Sequence, residues 1–306
     1  MKPKILFTEK IHKNALDLAA SFADVTVDAG LAQPDLIKKI SGFDALVVRS
    51  ATKVTKEVID AGKNLKVIGR AGVGLDNIDV DAASRKGILV VNSPEASTVA
   101  VAELVFGGLL SLNRKIVHAH HSMRSGKWER SRFEGSEAYG KTLGIIGFGR
   151  IGREVALRAK AFGMHLQVFD PNIKEESTAE YGVKYQKHLE DLLKHCDVVT
   201  IHVPLTDKTR NLIGAKELAS MKKSSVVINI ARGGIVNEKA LYDALKDNVI
   251  RGAVLDVFES EPPTNVPFKD LDNIVLTPHL GASTEEAQIS AGTVVVEKIK
   301  DFFMNK

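Results

Sequence analysis

The chain has 306 residues, of which 44% are hydrophobic and 26% charged, and its net charge is +4 at pH 7. This length allows two domains, and the mild charge without a long basic run favours a small anionic ligand over nucleic acid. The longest apolar stretch, residues 99–112, is shorter than the roughly 20 residues that cross a membrane. The single cysteine, Cys196, excludes an intrachain disulfide and predicts a reducing, cytoplasmic location.

Apolar strands alternate with helical stretches from the start of the chain to residue 92. The expected strands are residues 5–8, 25–27, 45–49, 65–69 and 89–92, and the expected helices are residues 14–22, 34–40, 56–61 and 80–86. Parallel strands covered by helices on both faces produce such continuous apolar runs. This part is therefore predicted to be one doubly wound α/β unit.

A long helix and a polar excursion separate this unit from a second α/β series. The helix is expected at residues 97–125, and the excursion, which contains Trp128 and Phe133, at residues 125–140. No Cys, Asp or Glu completes a metal site around the helix histidines His118, His120 and His121, so no metal is expected. The second series has expected strands at residues 143–146, 166–169, 198–203, 226–230, 253–257 and 274–276, and helices at 154–162, 189–195, 216–221, 238–247 and finally 284–303.

The second series begins with a glycine-rich turn between a strand and a helix. Its sequence, residues 147–152 (GFGRIG), is typical of a dinucleotide site in that position. Gly147 permits the tight turn, Gly149 lets the backbone approach a pyrophosphate, and Gly152 lets the helix pack closely on the strand. The next strand ends in Asp170, 18 positions past Gly152, where a carboxylate can accept hydrogen bonds from ribose hydroxyls. We therefore expect NAD as the cofactor, because the carboxylate repels the 2′-phosphate of NADP.

Three later strand ends carry side chains suited to redox chemistry on a hydroxy acid. Arg232 precedes two glycines, Glu261 lies in the proline-containing loop after the next strand, and His279 follows the strand after that. Ligands of open α/β sheets bind beyond the carboxyl ends of the strands, so these three side chains are expected to converge. A histidine backed by a carboxylate exchanges a proton with a hydroxyl, while an arginine holds a carboxylate. Each residue alone is more often a surface group, but beside a dinucleotide site they predict an enzyme that transfers hydride.

The first series has strand-end arginines of its own. Arg49 ends one strand, and Arg70 precedes a glycine-containing turn whose backbone can form an anion-binding nest. These features predict a substrate with more than one negative charge, bound by Arg49, Arg70, Gly72, Val73 and Gly74. For Arg49, a surface salt bridge is the alternative that the sequence leaves open.

Four ordered motifs make the whole chain similar to the D-isomer-specific 2-hydroxyacid dehydrogenase family. They are residues 69–79 (GRAGVGLDNID), 140–152 (GKTLGIIGFGRIG), 229–236 (NIARGGIV) and 278–284 (PHLGAST). The resemblance implies that Arg232 orients the substrate, that His279 is the acid/base and that Glu261 is the partner of His279. It also implies cofactor contacts at Arg150, Ile151, Asp170, Val203, Ile230, Ala231, Arg232, Asp256, His279, Gly281 and Ala282.

The resemblance further implies a division into two domains. Residues 1–94 with 284–306 are expected to form a flavodoxin-like substrate-binding domain. Residues 95–283 are expected to form a central Rossmann NAD-binding domain that includes a dimerisation segment, the long helix and the excursion to Gly140. A homodimer is therefore expected. Because the chain ends at Lys306, we also expect a short form without a C-terminal regulatory domain and without feedback by serine.

The leading hypothesis for the reaction is NAD-dependent oxidation of D-3-phosphoglycerate to 3-phosphohydroxypyruvate, the first step of serine biosynthesis. Arg49, Arg70 and the nest motivate it, since they suit a phosphorylated acid. Reduction of glyoxylate or hydroxypyruvate, or oxidation of another D-2-hydroxy acid, is the enzymatic alternative. An NAD(H)-sensing binding protein is the alternative of a different class, because the C-terminal binding protein corepressors share this fold and catalytic triad.

Overall fold

The computed structural model describes residues 2–263 and 268–304 and separates into two compact units. Unit 1 comprises the described residues of Met1–Thr98 and Ala282–Lys306, and unit 2 is Val99–Gly281. The domain boundaries expected from the sequence, after residues 94 and 283, lie a few residues away from these. Residues 1, 305 and 306 of the expected substrate-binding domain fall outside the described residues.

Unit 1 contains a five-stranded, wholly parallel sheet in the order β2-β1-β3-β4-β5. The strands are β1 (Lys4–Phe7), β2 (Asp24–Val27), β3 (Ala45–Val48), β4 (Val67–Arg70) and β5 (Leu89–Asn92). Every residue of β3 is buried, as a strand covered by helices on both faces requires. The strand order is that of flavodoxin-like folds, which confirms the predicted fold class of this part.

Helices cover both faces of this sheet. One face packs against α1 (Lys13–Phe22) and the C-terminal helix (Glu285–Met304), and its core includes Phe7, Ala15 and Val295. A Cβ on Gly292 would stand 2.9 Å from Ala15 Cβ, so the two helices approach closely. The other face is covered by α2 (Gln33–Lys39), α3 (Lys56–Ala61) and α4 (Val80–Arg85).

The predicted helix 97–125 is in fact two helices, α5 (Thr98–Asn113) and α6 (Ile116–Arg124). Lys115 adopts a left-handed conformation with φ of +51°, which interrupts the helix although no Gly or Pro marks the position. Asn113 explains the interruption, because its carbonyl accepts the Ser136 N–H at 3.0 Å and its side-chain Oδ1 accepts Arg251 Nη2 at 2.7 Å. Tertiary partners thus compete with continuation of the helix.

Unit 2 contains a seven-stranded, wholly parallel sheet in the order β12-β11-β10-β9-β6-β7-β8. The strands are β6 (Thr142–Ile146), β7 (His165–Phe169), β8 (Lys184–Tyr185), β9 (Val198–Ile201), β10 (Val226–Asn229), β11 (Gly252–Leu255) and β12 (Ile274–Leu276). Numbered from β6 and read from β8, the first six strands follow the 3-2-1-4-5-6 order of the Rossmann fold, and β12 adds a seventh strand at the edge, which confirms that prediction. The order in which the chain adds strands to the sheet reverses between β6 and β9, and such folds bind ligands at this point.

Helices also cover both faces of the second sheet. One face packs against α5 and α7 (Arg150–Ala161). The short α8 (Glu176–Ala179) and β8 were not predicted, because neither is long enough to show a periodic apolar pattern. The other face packs against α9 (Leu189–His195), α10 (Ala215–Ser220) and α11 (Glu238–Lys246). Cys196 follows α9 and is fully buried, and this burial raises its pKa to about 12.

Membrane-spanning helices and metal-binding clusters are both absent from the described parts of the chain. Within residues 2–263 and 268–304, no helix is long and apolar enough to cross a membrane. The same residues contain no group of three or more His, Cys, Asp or Glu side chains arranged to hold a metal ion.

Candidate active site

Each of the three glycines in the turn after β6 occupies its position for a different structural reason. A Cβ on Gly147, whose φ is +91°, would lie 2.6 Å from the carbonyl oxygen of His202. A Cβ on Gly152 would lie 2.3 Å from the carbonyl oxygen of Gly147. Around Gly149, by contrast, no atom lies within 4 Å of the Cβ position, so this residue borders open space. The turn therefore needs Gly147 and Gly152 for its own packing, whereas Gly149 leaves room for a ligand.

Helix α7 begins at this open space with backbone donors that no side chain caps. Its N-cap is Gly149, and the predicted cofactor contacts Arg150 and Ile151 form its first two positions. The first N–H groups of a helix lack intrahelical acceptors, and the helix dipole favours negative charge there. The position fits the pyrophosphate of a dinucleotide.

Asp170, which follows β7, binds the glycine-rich turn directly. The side chain is 9% exposed, its Oδ2 accepts the Phe148 N–H at 2.9 Å, and its Oδ1 accepts the Asn172 N–H at 2.9 Å. Each carboxylate oxygen can accept a further hydrogen bond, so the expected contact with ribose hydroxyls stays a prediction. What the structure adds is that Asp170 also shapes the turn.

Arg153 is a residue of this site that the sequence motif did not single out. Its guanidinium lies 5.8 Å from the ring centroids of both Phe148 and Tyr181, and its Nε donates to the Phe148 carbonyl at 3.2 Å. Phe148 is fully buried. Arg153 thus secures the middle of the turn, but its position one turn into α7 was the only signal in the sequence.

The end of β9 lies across the reversal point from the turn. Val203, another predicted cofactor contact, places Cγ1 2.7 Å from the Cβ position of Gly147. His202 donates its N–H to the Ile146 carbonyl at 2.7 Å, and its Nε2 lies 2.9 Å from Thr200 Oγ1. Burial lowers the pKa of His202 to about 3, so the imidazole stays neutral near pH 7.

The strands that precede the three catalytic candidates end together. Asn229 of β10 pairs with Leu255 of β11, which pairs with Leu276 of β12. Asn229 also folds the chain beyond its strand, since its Nδ2 donates to the Arg232 carbonyl at 2.9 Å and its Oδ1 accepts the Ala231 N–H at 3.1 Å. The sequence did not lead us to Asn229, although an Asn at a strand end is a known turn signal. Arg232 Nη1 donates to the Ala231 carbonyl at 2.7 Å.

Glu261 and His279 are in direct contact. His279 Nδ1 lies 2.6 Å from Glu261 Oε2, and Glu261 Oε1 accepts the Phe258 N–H at 3.0 Å. An ionised carboxylate has no proton to give, so Nδ1 donates and Nε2 is left for a substrate. The His279 side chain is 50% exposed, which leaves the ring accessible. This pair can accept and return a proton.

Asp256 holds the backbone of the His279 loop. This fully buried carboxylate accepts hydrogen bonds from Leu280 N–H at 2.7 Å, Thr277 Oγ1 at 2.5 Å and Gly281 N–H at 2.8 Å. The Asp256 carbonyl accepts the His279 N–H at 2.8 Å. His279 has a φ of +54°, a conformation that a non-glycine residue keeps only when its surroundings impose it. Asp256 was expected to contact the cofactor, and here its carboxylate shapes the loop.

The last predicted cofactor contacts flank this loop. A Cβ on Gly281 would lie 3.4 Å from Ile230 Cγ2, so these two residues are neighbours. Ala282 is the first residue of the second segment of unit 1, and its carbonyl accepts Gln288 Nε2 at 2.6 Å. Contact of these residues with cofactor stays a prediction.

The predicted substrate residues all belong to unit 1. Glu9, which the sequence did not indicate, holds the loop that contains Arg49. Its carboxylate accepts the N–H groups of Arg49 at 2.8 Å, Ala51 at 3.2 Å and Thr52 at 3.0 Å. Burial raises the pKa of Glu9, but these hydrogen bonds outweigh it and keep the pKa below its usual value. Asn77 Nδ2 adds bonds to the carbonyls of Arg49 at 2.9 Å and Thr52 at 2.7 Å.

Arg70 lies across the glycine-containing turn that follows β4. A Cβ on Gly72, whose φ is +151°, would stand 2.1 Å from Arg70 Nη1. The turn is tied to the end of β5, because Ser93 N–H donates to the Gly72 carbonyl at 3.0 Å and Asn92 Nδ2 to the Val73 carbonyl at 2.6 Å. Gly72 is therefore required for the position of the guanidinium. Anion binding by this turn, including Gly74, stays a prediction.

Comparison with known proteins identifies the family. Residues 106–281, more than half of the chain, match the sequence profile of the D-isomer specific 2-hydroxyacid dehydrogenase, NAD binding domain. The protein is 53% identical over 297 residues to the D-3-phosphoglycerate dehydrogenase of Methanocaldococcus jannaschii, a match that covers 97% of this chain and 57% of that protein. This chain therefore spans little more than half the length of that relative.

Two further relatives are similar over their whole length. The hydroxypyruvate reductase of Thermotoga maritima is 47% identical over 300 residues, which is 97% of each protein. The D-lactate dehydrogenase of Aquifex aeolicus, solved with NAD and lactic acid, superposes with a TM-score of 0.86 at 29% identity and covers 98% of this chain and 96% of its own. The matched domain binds NAD, as the glycine-rich turn and Asp170 predicted. The chain belongs to the D-isomer-specific 2-hydroxyacid dehydrogenase family.

Proposed function

We propose that this protein oxidises D-3-phosphoglycerate to 3-phosphohydroxypyruvate with NAD, the first step of serine biosynthesis. The observation that carries the reaction type is the 2.6 Å contact between His279 Nδ1 and Glu261 Oε2. The choice of a phosphorylated substrate is supported by the Arg70 guanidinium on Gly72 and by the relative from M. jannaschii.

In this mechanism, His279 takes the proton of the substrate hydroxyl at Nε2. Glu261 accepts the Nδ1–H throughout and stabilises the imidazolium that forms. Arg232 binds the substrate carboxylate and polarises the carbonyl that develops at the neighbouring carbon. The turn at Gly149 and the start of α7 would hold NAD, which would supply the hydride acceptor for that carbon. In the reverse direction, His279 returns the proton to the carbonyl oxygen.

The phosphate group is assigned to Arg49 and Arg70. Guanidinium groups bind phosphate bidentately and stay charged at every physiological pH. Support comes from the setting of both residues, since Glu9 and Asn77 fix the backbone at Arg49 while Gly72 lies against the guanidinium of Arg70. A loop whose backbone is already ordered loses little freedom when an anion binds.

The second candidate is reduction of hydroxypyruvate. It is favoured by the relative from T. maritima, because that match extends over 97% of both proteins. The chemistry at His279 is the same, but the substrate lacks a phosphate and does not require Arg49 or Arg70.

Steady-state rates with NADH distinguish the two candidates. We expect a kcat/KM for 3-phosphohydroxypyruvate at least about tenfold above those for hydroxypyruvate and glyoxylate. Arg49→Ala should raise the KM for the phosphorylated substrate about tenfold or more, since a charge-assisted contact is lost, and leave glyoxylate kinetics unchanged. Faster turnover of glyoxylate or hydroxypyruvate would contradict the assignment.

A control variant separates an enzyme from an NAD(H)-sensing protein. His279→Ala should keep NADH binding, measured by fluorescence titration, and lose turnover by about a hundredfold or more. A wild-type protein that binds NADH but reduces none of the three 2-oxo acids would instead support sensing.

We also propose that the protein is a homodimer. Four residues with large apolar side chains are exposed along α6 and the excursion after it, namely Trp128 at 80%, Tyr139 at 76%, Met123 at 54% and Ile116 at 50%. Several exposed apolar residues on one segment favour a protein–protein interface there. The segment is the one that the family resemblance assigns to dimerisation.

A further inference from the structure

The loop that carries Glu261 is exposed and follows β11. Glu259, Ser260 and Glu261 are all solvent-exposed. The Glu261 carboxylate is nevertheless oriented by its own loop, because Oε1 accepts the Phe258 N–H while Oε2 meets His279. The position of Glu261 therefore depends on what holds the backbone from Phe258 to Glu261.

A reciprocal pair of hydrogen bonds attaches this backbone to the start of α11. Glu259 N–H donates to Glu238 Oε1 at 2.5 Å, and Glu238 N–H donates to Glu259 Oε1 at 3.4 Å. Glu238 is the first residue of α11, and an N–H at that position has no acceptor within its helix. The carboxylate of Glu259 satisfies it and also complements the positive end of the helix dipole.

Gly233 brings the same backbone against the loop of Arg232. A Cβ on Gly233 would lie 1.8 Å from the Phe258 carbonyl oxygen and 2.7 Å from the Glu259 nitrogen. No side chain fits there, so the two loops are in direct backbone contact. Gly233, Glu238 and Glu259 together form what we call the clamp.

We propose that the clamp residues Gly233, Glu238 and Glu259 are positioning residues, which fix Glu261 against His279 and set its distance from the Arg232 loop. The proposal rests on the proposed function, in which His279 exchanges the proton. The reason is geometric, since small displacements of a proton-transfer group are costly to the rate.

The electrostatics make such anchoring necessary. Burial raises the pKa of Glu238, the Glu259 N–H lowers it, and the negative charges of Glu259 and Glu261 raise it further. Three carboxylates thus lie close together and repel one another. The backbone N–H groups of Glu238, Phe258 and Glu259 each donate to one of them, which holds the loop in place despite the repulsion.

Substitutions at Glu259 test the proposal, because this exposed side chain can be changed without disturbing a core. Glu259→Ala removes the acceptor, and Glu259→Gln keeps an acceptor oxygen but removes the charge. We expect Glu259→Ala to lower kcat about three- to tenfold with NADH and either hydroxypyruvate or 3-phosphohydroxypyruvate. Glu259→Gln should restore most of the rate. Melting temperature and the NADH Kd should stay near wild type in both variants.

The Glu261→Gln background shows whether the clamp acts through Glu261. There, adding Glu259→Ala should cost little further rate, because the residue it positions is already altered. A full additional loss would overturn the proposal, and so would a wild-type kcat for Glu259→Ala. An equal loss of kcat in Glu259→Gln and Glu259→Ala would also overturn the proposal, because it would show that the charge of Glu259 matters and its hydrogen bond does not. If Glu261→Gln alone keeps the wild-type kcat, both the proposed function and the clamp are rejected. If Glu261→Gln lowers kcat but Glu259→Ala does not, only the clamp is rejected.

Discussion

At the residue scale, His202 couples the stability of the protein to pH. Its pKa of about 3 in the folded chain lies below the value of about 6.5 for an unfolded histidine. Between these values the unfolded chain binds a proton that the folded chain does not. The contribution of the neutral His202 imidazole to the free energy of unfolding is therefore complete above pH 6.5. It decreases as the pH falls towards 3, by at most ~1.4 kcal/mol per pH unit.

Replacing the imidazole should remove this dependence. The quantity to compare is the free energy of unfolding of His202→Leu minus that of the wild type. We expect this difference to increase by about 2 kcal/mol when the pH is lowered from 7.5 to 5. Urea unfolding at several pH values measures it, with His188→Gln, a substitution of an exposed histidine, as the control. Parallel pH curves for wild type and His202→Leu would rule the linkage out.

Other single residues show how far the sequence alone could be interpreted. Arg232 and His279 stood out because charged groups at strand ends are unusual. The sequence did not predict the structural roles of Glu9, Asn229 and Asp256. Each acts through hydrogen bonds to backbone that is distant in sequence or folded back on itself. Residues of that kind become visible only when their partners are known.

At the scale of elements, the turn from β6 to α7 combines a packing requirement with an open ligand position. Gly152 is in close contact with the Gly147 carbonyl, whereas the space beside Gly149 is free. The two glycines therefore make a matched pair for separating the stability of the turn from its binding of cofactor.

We expect Gly152→Ala to lower the free energy of unfolding by about 1–3 kcal/mol, because its Cβ meets backbone that cannot move aside, and to weaken NADH binding. Gly149→Ala should leave stability unchanged and still raise the NADH Kd about tenfold or more, since its methyl group occupies the place assigned to pyrophosphate. Thermal unfolding and fluorescence titration provide both numbers. Wild-type NADH affinity in Gly149→Ala would contradict that assignment.

The elements also differ in how well they could be predicted. Buried parallel strands such as Ala45–Val48 leave a continuous apolar run, so their place is evident from local sequence. The break between α5 and α6 has no such signal, because Ser136 and Arg251 reach Asn113 from elsewhere in the chain.

At the scale of the whole molecule, the exposed apolar side chains of α6 and the excursion predict self-association. Sedimentation velocity should give twice the chain mass for the wild type. Trp128→Glu should produce monomer at micromolar concentration, because a charge would be buried in the interface without a partner. Leu89→Ser, which changes an apolar residue 41% exposed in unit 1, should leave the dimer intact. A wild-type protein that is monomeric throughout would contradict the homodimer.

The α/β class, the two strand series, the dinucleotide turn and the charged strand ends could all be predicted from the sequence, because each leaves a local pattern of apolar period, glycine spacing or isolated charge. The fold was needed to establish the register of the strands, the 2.6 Å distance at which Glu261 meets its expected partner His279, and the way in which Asp256, Glu259 and Gly233 hold the loops around them. Those contacts join residues far apart in the chain. Their energies depend on distances that a linear pattern does not contain.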